Sequence, residues 1–153
     1  MKTIVEKLSK IITDYTGQLN SVSEETFILH SVPGKWSRKE ELGHLIDSAH
    51  SNLRRFVVAQ YEVNPKIVYN QDFWNHACNY QHQSSQQLIT LWQLLNQQIA
   101  EVLHSMPETN YKRTCDTGKG TTELHSLEWL ADDYVKHLLH HLHHILSLEE
   151  IPY

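Results

Sequence analysis

The stretch from Ser126 to Leu148, SLEWLADDYVKHLLHHLHHILSL, carries the clearest structural signal in the chain. Its apolar residues recur every three or four positions, the spacing that places side chains on one face of an α-helix. Ser126 precedes this pattern as an N-cap residue, and acidic residues follow near the positively polarised N-terminal end. The pattern predicts an amphipathic helix over residues 127–148.

Three other stretches repeat the same periodicity. The first predicts a helix over residues 2–20. The second begins at a capping box, in which the side chains of Ser37 and Glu40 bond each other's backbone amides, and predicts a helix over 38–61. The third ends before a proline, which cannot continue a helix, and predicts a helix over 85–106. Four amphipathic helices without a sustained heptad repeat predict an all-α four-helix bundle.

Long connections follow the second and third predicted helices, over residues 62–84 and 107–126. Both exceed the roughly two to eight residues usual in bundles, so they either cross the bundle or build structure of their own. Residues 67–83 are rich in aromatic and amide side chains, which indicates an ordered segment with room for a helical turn. Residues 116–122 resemble a flexible turn, and their Gly-Lys-Gly-Thr departs from the phosphate-loop pattern, so we expect no nucleotide site.

The composition is that of a single soluble domain spanning residues 1–153, with few glycines and prolines and a net charge of −5. No apolar run approaches the roughly 20 residues that a membrane span needs, and no secretory signal is visible, so we expect a cytoplasmic protein. The net negative charge, without a basic stripe, argues against nucleic-acid binding. Cys78 and Cys115, which we place in loops, are expected to be free thiols.

Five of the chain's 12 histidines lie in the last predicted helix. With about 100° of rotation per residue, His141 falls about 60° from Leu138 on the apolar stripe, and His137 about 100° on the same flank. His140 and His143 lie on the far side. Two histidines one turn apart present imidazole nitrogens that one divalent cation can bridge. This makes His137 and His141 the best candidate ligand pair, the alternative being solvated or hydrogen-bonded surface histidines.

A metal site needs at least one more ligand, and helical phase does not choose it. The histidines that remain open are His44, His50, His76, His82 and His125. His44 begins a polar column of the second helix that ends at Arg55, and this column is either solvent-facing or one wall of a wet cleft. Gly43 beside it costs roughly 1 kcal/mol in a helix relative to alanine, so close packing is one reason for its presence.

Several short motifs of the chain occur in a specific order and spacing. They are Trp36-Ser37, then Glu40, Leu42, Gly43, His44 and Asp47, and a last helix with Tyr134-Val135, His137 and His141. In these motifs the chain resembles the DinB-like (DinB/YfiT) superfamily, whose members are proposed to be metalloenzymes, over about residues 5–148. The resemblance implies a four-helix bundle with a three-histidine site, and it selects His44 to join His137 and His141. Tyr69 to Trp74 and Asn79-Tyr80 also resemble a subgroup pattern, without implying roles.

Three neutral imidazoles would leave a divalent ion its full charge and an open position, the arrangement that lowers the pKa of bound water to about 7. The resemblance implies a thiol-dependent S-transferase or isomerase first and a hydrolase second. We therefore expect zinc or nickel as the cofactor, a low-molecular-weight thiol as co-substrate, a small-molecule substrate, and a homodimer as one form of assembly.

Two acidic residues are candidates for supporting roles in such a site. Asp47 is the candidate general base, and Asp133, one turn before His137, is a candidate for orienting that imidazole. Both are alternatively exposed helix acids. Three tryptophans are expected in the core or at an interface: Trp36, Trp92 and Trp129. The competing functional hypothesis is a non-catalytic helical module for dimerisation or ligand binding, with incidental histidines.

Overall fold

The computed structural model describes residues 1–30, 32 and 34–149, and it is mostly helical. Its elements in chain order are α1 (Lys2–Asn20), α2 (Glu24–Phe27), α3 (Arg38–Val58), α4 (Gln71–Cys78), a 3₁₀ turn (Tyr80–His82), α5 (Ser85–Ser105), a second 3₁₀ turn (Glu108–Asn110), β1 (Thr114–Asp116), β2 (Leu124–Ser126) and α6 (Leu127–Leu146). The long helices α1, α3, α5 and α6 are the four that the periodicity predicts. Residues 150–153 of the predicted domain lie outside the described residues.

The four long helices pack as a bundle around one apolar core. Helices α1 and α3 each pack against both α5 and α6, so α1 lies across the bundle from α3, and α5 lies across from α6. The core side chains are buried leucines, isoleucines and aromatics of all four helices, including Leu8, Leu45, Trp92, Leu103, Tyr134 and Leu138. The all-α four-helix bundle predicted from the sequence is confirmed.

The ends of the helices follow from local capping. The backbone N–H of Glu40 donates to Ser37 Oγ at 3.1 Å, and the N–H of Ser37 donates to the Glu40 carboxylate at 2.7 Å, which confirms the capping box at the start of α3. Helix α3 ends at Val58, earlier than predicted. Helix α6 ends at Leu146 because Ser147 takes a left-handed conformation with a φ of 55°.

The two long connections contain secondary structure and pair with each other. The first contains α4 and a 3₁₀ turn, and the second forms a hairpin in which Cys115 of β1 lies opposite His125 of β2. The N–H of Ile67 donates to the Asp116 carbonyl, and the N–H of Asp116 donates to the Pro65 carbonyl, each at 2.9 Å. Residues 65–67 of the first connection are therefore hydrogen-bonded to β1 of the second.

The turn between β1 and β2 is more defined than the flexible turn expected from the sequence. Asp116 Oδ1 accepts hydrogen bonds from the backbone N–H groups of Gly118, at 2.9 Å, and Glu123, at 3.0 Å. A Cβ atom on Gly118 would lie only 1.8 Å from the Thr121 carbonyl oxygen, so the turn requires glycine there. Asp116, the first residue of the segment that resembles a flexible turn, therefore organises its backbone, and the flexibility of the segment stays a prediction.

Neither cysteine lies in a loop. Cys78 is the last residue of α4, and Cys115 lies in β1, where it is buried and its thiol donates to the Pro65 carbonyl oxygen at 3.1 Å. Both are free thiols. Among the tryptophans, Trp92 is buried in the core as expected, whereas Trp129 is 48% exposed and stacks on His125. Within the described part of the chain, no helix combines the length and the apolar character needed to cross a membrane.

Candidate metal centre

Three histidines from two helices meet at one point of the bundle. His44 of α3 and His137 and His141 of α6 each offer one ring nitrogen, and these nitrogens all lie within 4.8 Å of one another. The Nε2 atoms of His44 and His137 are 3.1 Å apart. No other group of three or more candidate ligands lies this close together among the described residues. The packing of α3 against α6 therefore brings together the three residues that the family resemblance selected.

The donor set fits a divalent metal ion. Two imidazole ligands of a tetrahedral ion, each at about 2.0–2.1 Å, have nitrogen atoms about 3.3 Å apart, close to the observed separation of His44 and His137. A carboxylate or thiolate is absent from the cluster, and three imidazoles are a known ligand set of catalytic zinc. His44 is 4% exposed, and its Nδ1 has no hydrogen-bond partner among the described residues.

Burial keeps the imidazoles of His44 and His137 in the neutral form that binds metal. Desolvation, assisted by the electrostatic effect of neighbouring His141, lowers the pKa of His44 to about 4. Desolvation and the adjacent histidines also lower the pKa of His137 well below its ordinary value. Because metal ligation requires the deprotonated ring, both side chains are in the ligating state at neutral pH without competition from protons.

Glu41 is a functional residue that the sequence reasoning missed. Its Oε1 atom accepts hydrogen bonds from Nδ1 of His141 at 2.7 Å and from Nδ1 of His144 at 2.9 Å. Since a carboxylate only accepts, Nδ1 of His141 carries the proton, and Nε2 is the atom left for a metal. Burial disfavours the Glu41 carboxylate, but the two histidine hydrogen bonds outweigh it and lower the pKa of the carboxyl. The sequence feature that could have identified Glu41 is its position three residues before His44, almost one helical turn.

Asp47 is buried, so its interpretation as an exposed helix acid was wrong. The Tyr80 hydroxyl donates to Asp47 Oδ1, and Oδ2 is buried without a hydrogen-bond partner among the described residues. Burial raises the pKa of Asp47 to about 6, an effect that the Tyr80 hydrogen bond partly offsets. Gly43 confirms the expected close packing, because a Cβ atom there would lie 2.1 Å from a Tyr80 ring carbon.

The polar column of α3 faces other protein elements rather than solvent. Ser48 is buried and its Oγ lies 3.5 Å from Nδ1 of His137, and the Arg55 guanidinium donates to the Ile67 carbonyl oxygen at 2.9 and 3.1 Å. The negative charge of Asp133 partly offsets the lowering of the Arg55 pKa that burial causes. A role for Asp133 in orienting His137 stays a prediction.

His141 lines the first of two adjoining cavities. The first has a volume of about 550 Å³ and is lined by residues that include Trp36, Glu41, His140, His141 and His144. The second has a volume of about 370 Å³ and is lined by Val68, Tyr69, Asn70, Gln71, Asp72 and Lys119. Gln71 and Asp72, at the start of α4, line both cavities, so the two cavities adjoin there. The Trp36 ring packs against His44, with ring centroids 5.0 Å apart.

Comparisons with known proteins give a consistent family and fold. The family model of the DinB superfamily matches residues 8–145. The solved structure of YfiT from Bacillus subtilis, described as a probable metal-dependent hydrolase with an unusual four-helix bundle topology, superposes with a TM-score of 0.86 at 21% identity, over 95% of this chain and 83% of that one.

A second solved structure is the mycothiol-dependent maleylpyruvate isomerase, with a TM-score of 0.76 at 14% identity. The match covers 98% of this chain but 61% of the isomerase, so the chain corresponds to only part of that enzyme. At these identities the likeness concerns the fold alone. No curated protein sequence matches the chain.

Proposed function

This chain belongs to the DinB superfamily, and from that membership and the geometry of its histidines we propose that it is a metal-dependent enzyme. His44, His137 and His141 would hold one divalent ion. The observation that carries the proposal is the convergence of three ring nitrogens within 4.8 Å, in a cluster that contains no acidic or thiolate ligand. Imidazole nitrogens suit zinc and nickel, which are the metals we expect.

A divalent ion held by three neutral imidazoles would keep its full charge and an open position, and would supply Lewis-acid chemistry to a thiol or to a polar bond of the substrate. The chain's own residues provide the rest of the site. Glu41 orients His141, Trp36 shields His44, and the adjacent cavity of about 550 Å³ has the size of a small-molecule site.

The reaction class that we favour is thiol transfer with a low-molecular-weight thiol as co-substrate, with hydrolysis second. None of the three candidate ligands is anionic, so no ligand would repel a thiolate that binds at the site. YfiT is described as a probable metal-dependent hydrolase and the other fold neighbour as a mycothiol-dependent isomerase, so each reaction class has a counterpart among the fold neighbours. A small-molecule substrate, a cytoplasmic location and a homodimer remain parts of this proposal.

Asp47 is the proposed general base. It lies on α3 one turn after His44, and its Oδ2 atom has no hydrogen-bond partner among the described residues and is therefore available to accept a proton. With a pKa of about 6 the carboxyl is ionised at neutral pH, and it is a stronger base than an ordinary aspartate. Because the side chain is buried, we expect the proton to reach Asp47 after a local rearrangement or through a water molecule.

Cobalt substitution tests the proposed function. If the three histidines bind metal, adding a thiol to the cobalt-loaded protein should change its visible absorption, because a soft sulfur ligand enters as thiolate. A hydrolase would show little change with thiol and would cleave members of an ester or amide panel.

A non-catalytic helical module would show neither response. Failure of the protein to bind cobalt would contradict both enzyme hypotheses and would favour the alternative of a dimerisation or ligand-binding bundle with incidental histidines.

A further inference from the structure

Lys119 occupies a defined position at the tip of the β1–β2 turn. The turn is held by Asp116, whose carboxylate accepts from the Gly118 and Glu123 amides, and the strand before it is paired with residues 65–67 of the first long connection. Gly118 is required by the close approach of the Thr121 carbonyl oxygen. The position of Lys119 is therefore set by backbone contacts on either side of it.

This turn places Lys119 in the wall of the cavity of about 370 Å³, which is also lined by Tyr69 and by residues at the start of α4. That cavity meets the cavity beside His141 at Gln71 and Asp72, which line both. Lys119 thus lines a cavity that adjoins the one lined by His141, although it lies 75 residues after His44 in the chain.

Among the ion pairs of the described residues, none includes Lys119, and Asp72, the acidic side chain of the same cavity, is not paired with it. The ammonium group is exposed and available to an external anion.

We propose that Lys119 binds an anionic group, a carboxylate or a phosphate, of the small molecule that reacts at the three-histidine site. The inference rests on the proposed function and extends it to the class of substrate. Lys119 is a positioning residue, because it lies outside the histidine cluster and its ammonium would hold the anion as a compact point charge. The metal held by the histidine cluster would carry out the reaction, and Lys119 of the β1–β2 turn would select which small molecules bind there.

A titration of metal-free protein tests this binding without relying on activity. In amide spectra of ¹⁵N-labelled protein, 3-mercaptopropionate should shift the signals of residues 117–120, whereas 2-mercaptoethanol, which has no carboxylate, should not. Inorganic phosphate in place of 3-mercaptopropionate distinguishes the two kinds of anion. Raising the salt concentration should weaken the effect, because the contact is between exposed charges.

The matched variants are Lys119→Ala, Lys119→Arg and Lys112→Ala, the last removing an exposed lysine that pairs with Glu128 outside both cavities. We expect Lys119→Ala to abolish the shifts, and Lys119→Arg and Lys112→Ala to retain them. Anion-dependent shifts that persist in Lys119→Ala, or the absence of shifts in the wild-type protein, would overturn the inference.

A second titration links Lys119 to the metal centre and separates the two proposals. In cobalt-loaded protein, 3-mercaptopropionate should bind at least fivefold more tightly than 2-mercaptoethanol, and Lys119→Ala should remove most of that preference. If the two thiols bind with equal affinity and Lys119→Ala changes neither affinity, the role of Lys119 is contradicted. The proposal of thiol chemistry at the site would stand. Absence of any thiol-dependent absorption change would contradict thiol chemistry at the site, while the metal-free titration would still decide on Lys119.

Discussion

Glu41 shows how a single carboxylate oxygen determines which atom of a histidine faces the candidate metal centre. By accepting from Nδ1 of both His141 and His144, it fixes the tautomer of His141 and leaves Nε2 for the shared point near His44. Such carboxylate–histidine contacts raise the basicity of the ligand and hold the ring in place. The strength of this contact depends on Glu41 being charged.

Removing the negative charge of Glu41 tests this dependence. Glu41→Gln keeps the size of the side chain but removes its negative charge, so we expect metal affinity to fall about 10- to 100-fold. Competition with a chromophoric chelator measures the change. Glu101→Gln, on the exposed face of α5, is the matched control and should leave affinity unchanged. Equal affinities in the two variants would mean that Glu41 does not support the site.

Asp47 gives a prediction about stability and pH. Its pKa in the folded chain, about 6, lies above the ordinary value, so the folded state favours the protonated carboxyl. The buried carboxylate therefore costs free energy above pH 6, by at most about 3 kcal/mol, and that cost disappears as the pH falls toward 4. In metal-free protein, Asp47→Asn should raise the free energy of unfolding at pH 8 and have little effect at pH 4.

Chemical unfolding of both proteins across this pH range, with chelator present, measures the difference. Asparagine Oδ1 still accepts from the Tyr80 hydroxyl, so the hydrogen bond is retained and the comparison isolates the charge. A difference between the two proteins that does not change with pH would contradict the raised pKa.

At the residue scale, the sequence could identify the His137–His141 pair but not its partners. Helical phase placed the pair on one flank, whereas five histidines elsewhere remained equivalent until the family resemblance selected His44. Glu41 was missed because its partners lie 100 and 103 residues away on α6, and no local pattern encodes a contact of that length.

Tyr80 couples the first long connection to α3. Its ring occupies the space left by the absent side chain of Gly43, and its hydroxyl donates to Asp47 one turn later on the same helix. Asn75 of α4 adds a second contact, donating to the Glu40 carbonyl oxygen at 2.7 Å. The segment that carries α4 is thereby docked on the helix that carries His44.

A methyl group at position 43 should disrupt this docking. Gly43→Ala places a Cβ atom within 2.1 Å of the Tyr80 ring, and overpacking of this kind costs about 1–3 kcal/mol. Gly17→Ala in α1, where nothing lies within 4 Å, should instead stabilise the protein by about 0.5–1 kcal/mol. Thermal unfolding should therefore show shifts of opposite sign for the two variants.

The pair Gly43→Ala and Tyr80→Ala closes a double-mutant cycle. With the ring removed, the added methyl group should no longer destabilise the fold, which identifies Tyr80 as the source of the clash. A Gly43→Ala protein as stable as the wild type would show that Tyr80 does not require the glycine.

At the element scale, periodicity predicted the four long helices but little of what connects them. The limits of α1 were predicted correctly, and the errors in α3 and α6 are short and lie at their C-terminal ends, where no glycine or proline marks the stop. The strands β1 and β2 have three residues each, too few to show an alternating pattern, and β1 pairs with residues about 50 positions earlier. The pairing of β1 with residues 65–67 is a tertiary contact, which no local pattern encodes.

At the scale of the whole molecule, the diagonal arrangement of the bundle creates the site. Because α3 packs directly against α6, the polar flank of one helix faces the polar flank of the other, and the histidines meet between them. The periodicity of a single helix does not encode the order of the helices around a bundle. From the sequence, the polar column of α3 could therefore be either solvent-facing or part of a wet cleft.

This arrangement predicts that metal stabilises the bundle without being needed to form it. The core is built from apolar side chains of all four long helices, so chelation should lower the melting temperature but leave the helical circular dichroism at 25 °C unchanged. Binding to the folded chain alone contributes about 2.7 kcal/mol when the free metal concentration is 100 times the dissociation constant. Loss of the helical signal on adding chelator would instead identify a structural metal.

The central claim is that His44, His137 and His141 together bind one metal ion. Elemental analysis of protein purified without a nickel column tests it most directly. We predict about one ion of zinc or nickel per chain in the wild type, and loss of most of it in the alanine variant of each of the three histidines. His50→Ala in α3 and His140→Ala in α6 are the matched controls and should keep their metal. A His137→Ala protein that retains one ion per chain, while His140→Ala loses it, would contradict the account.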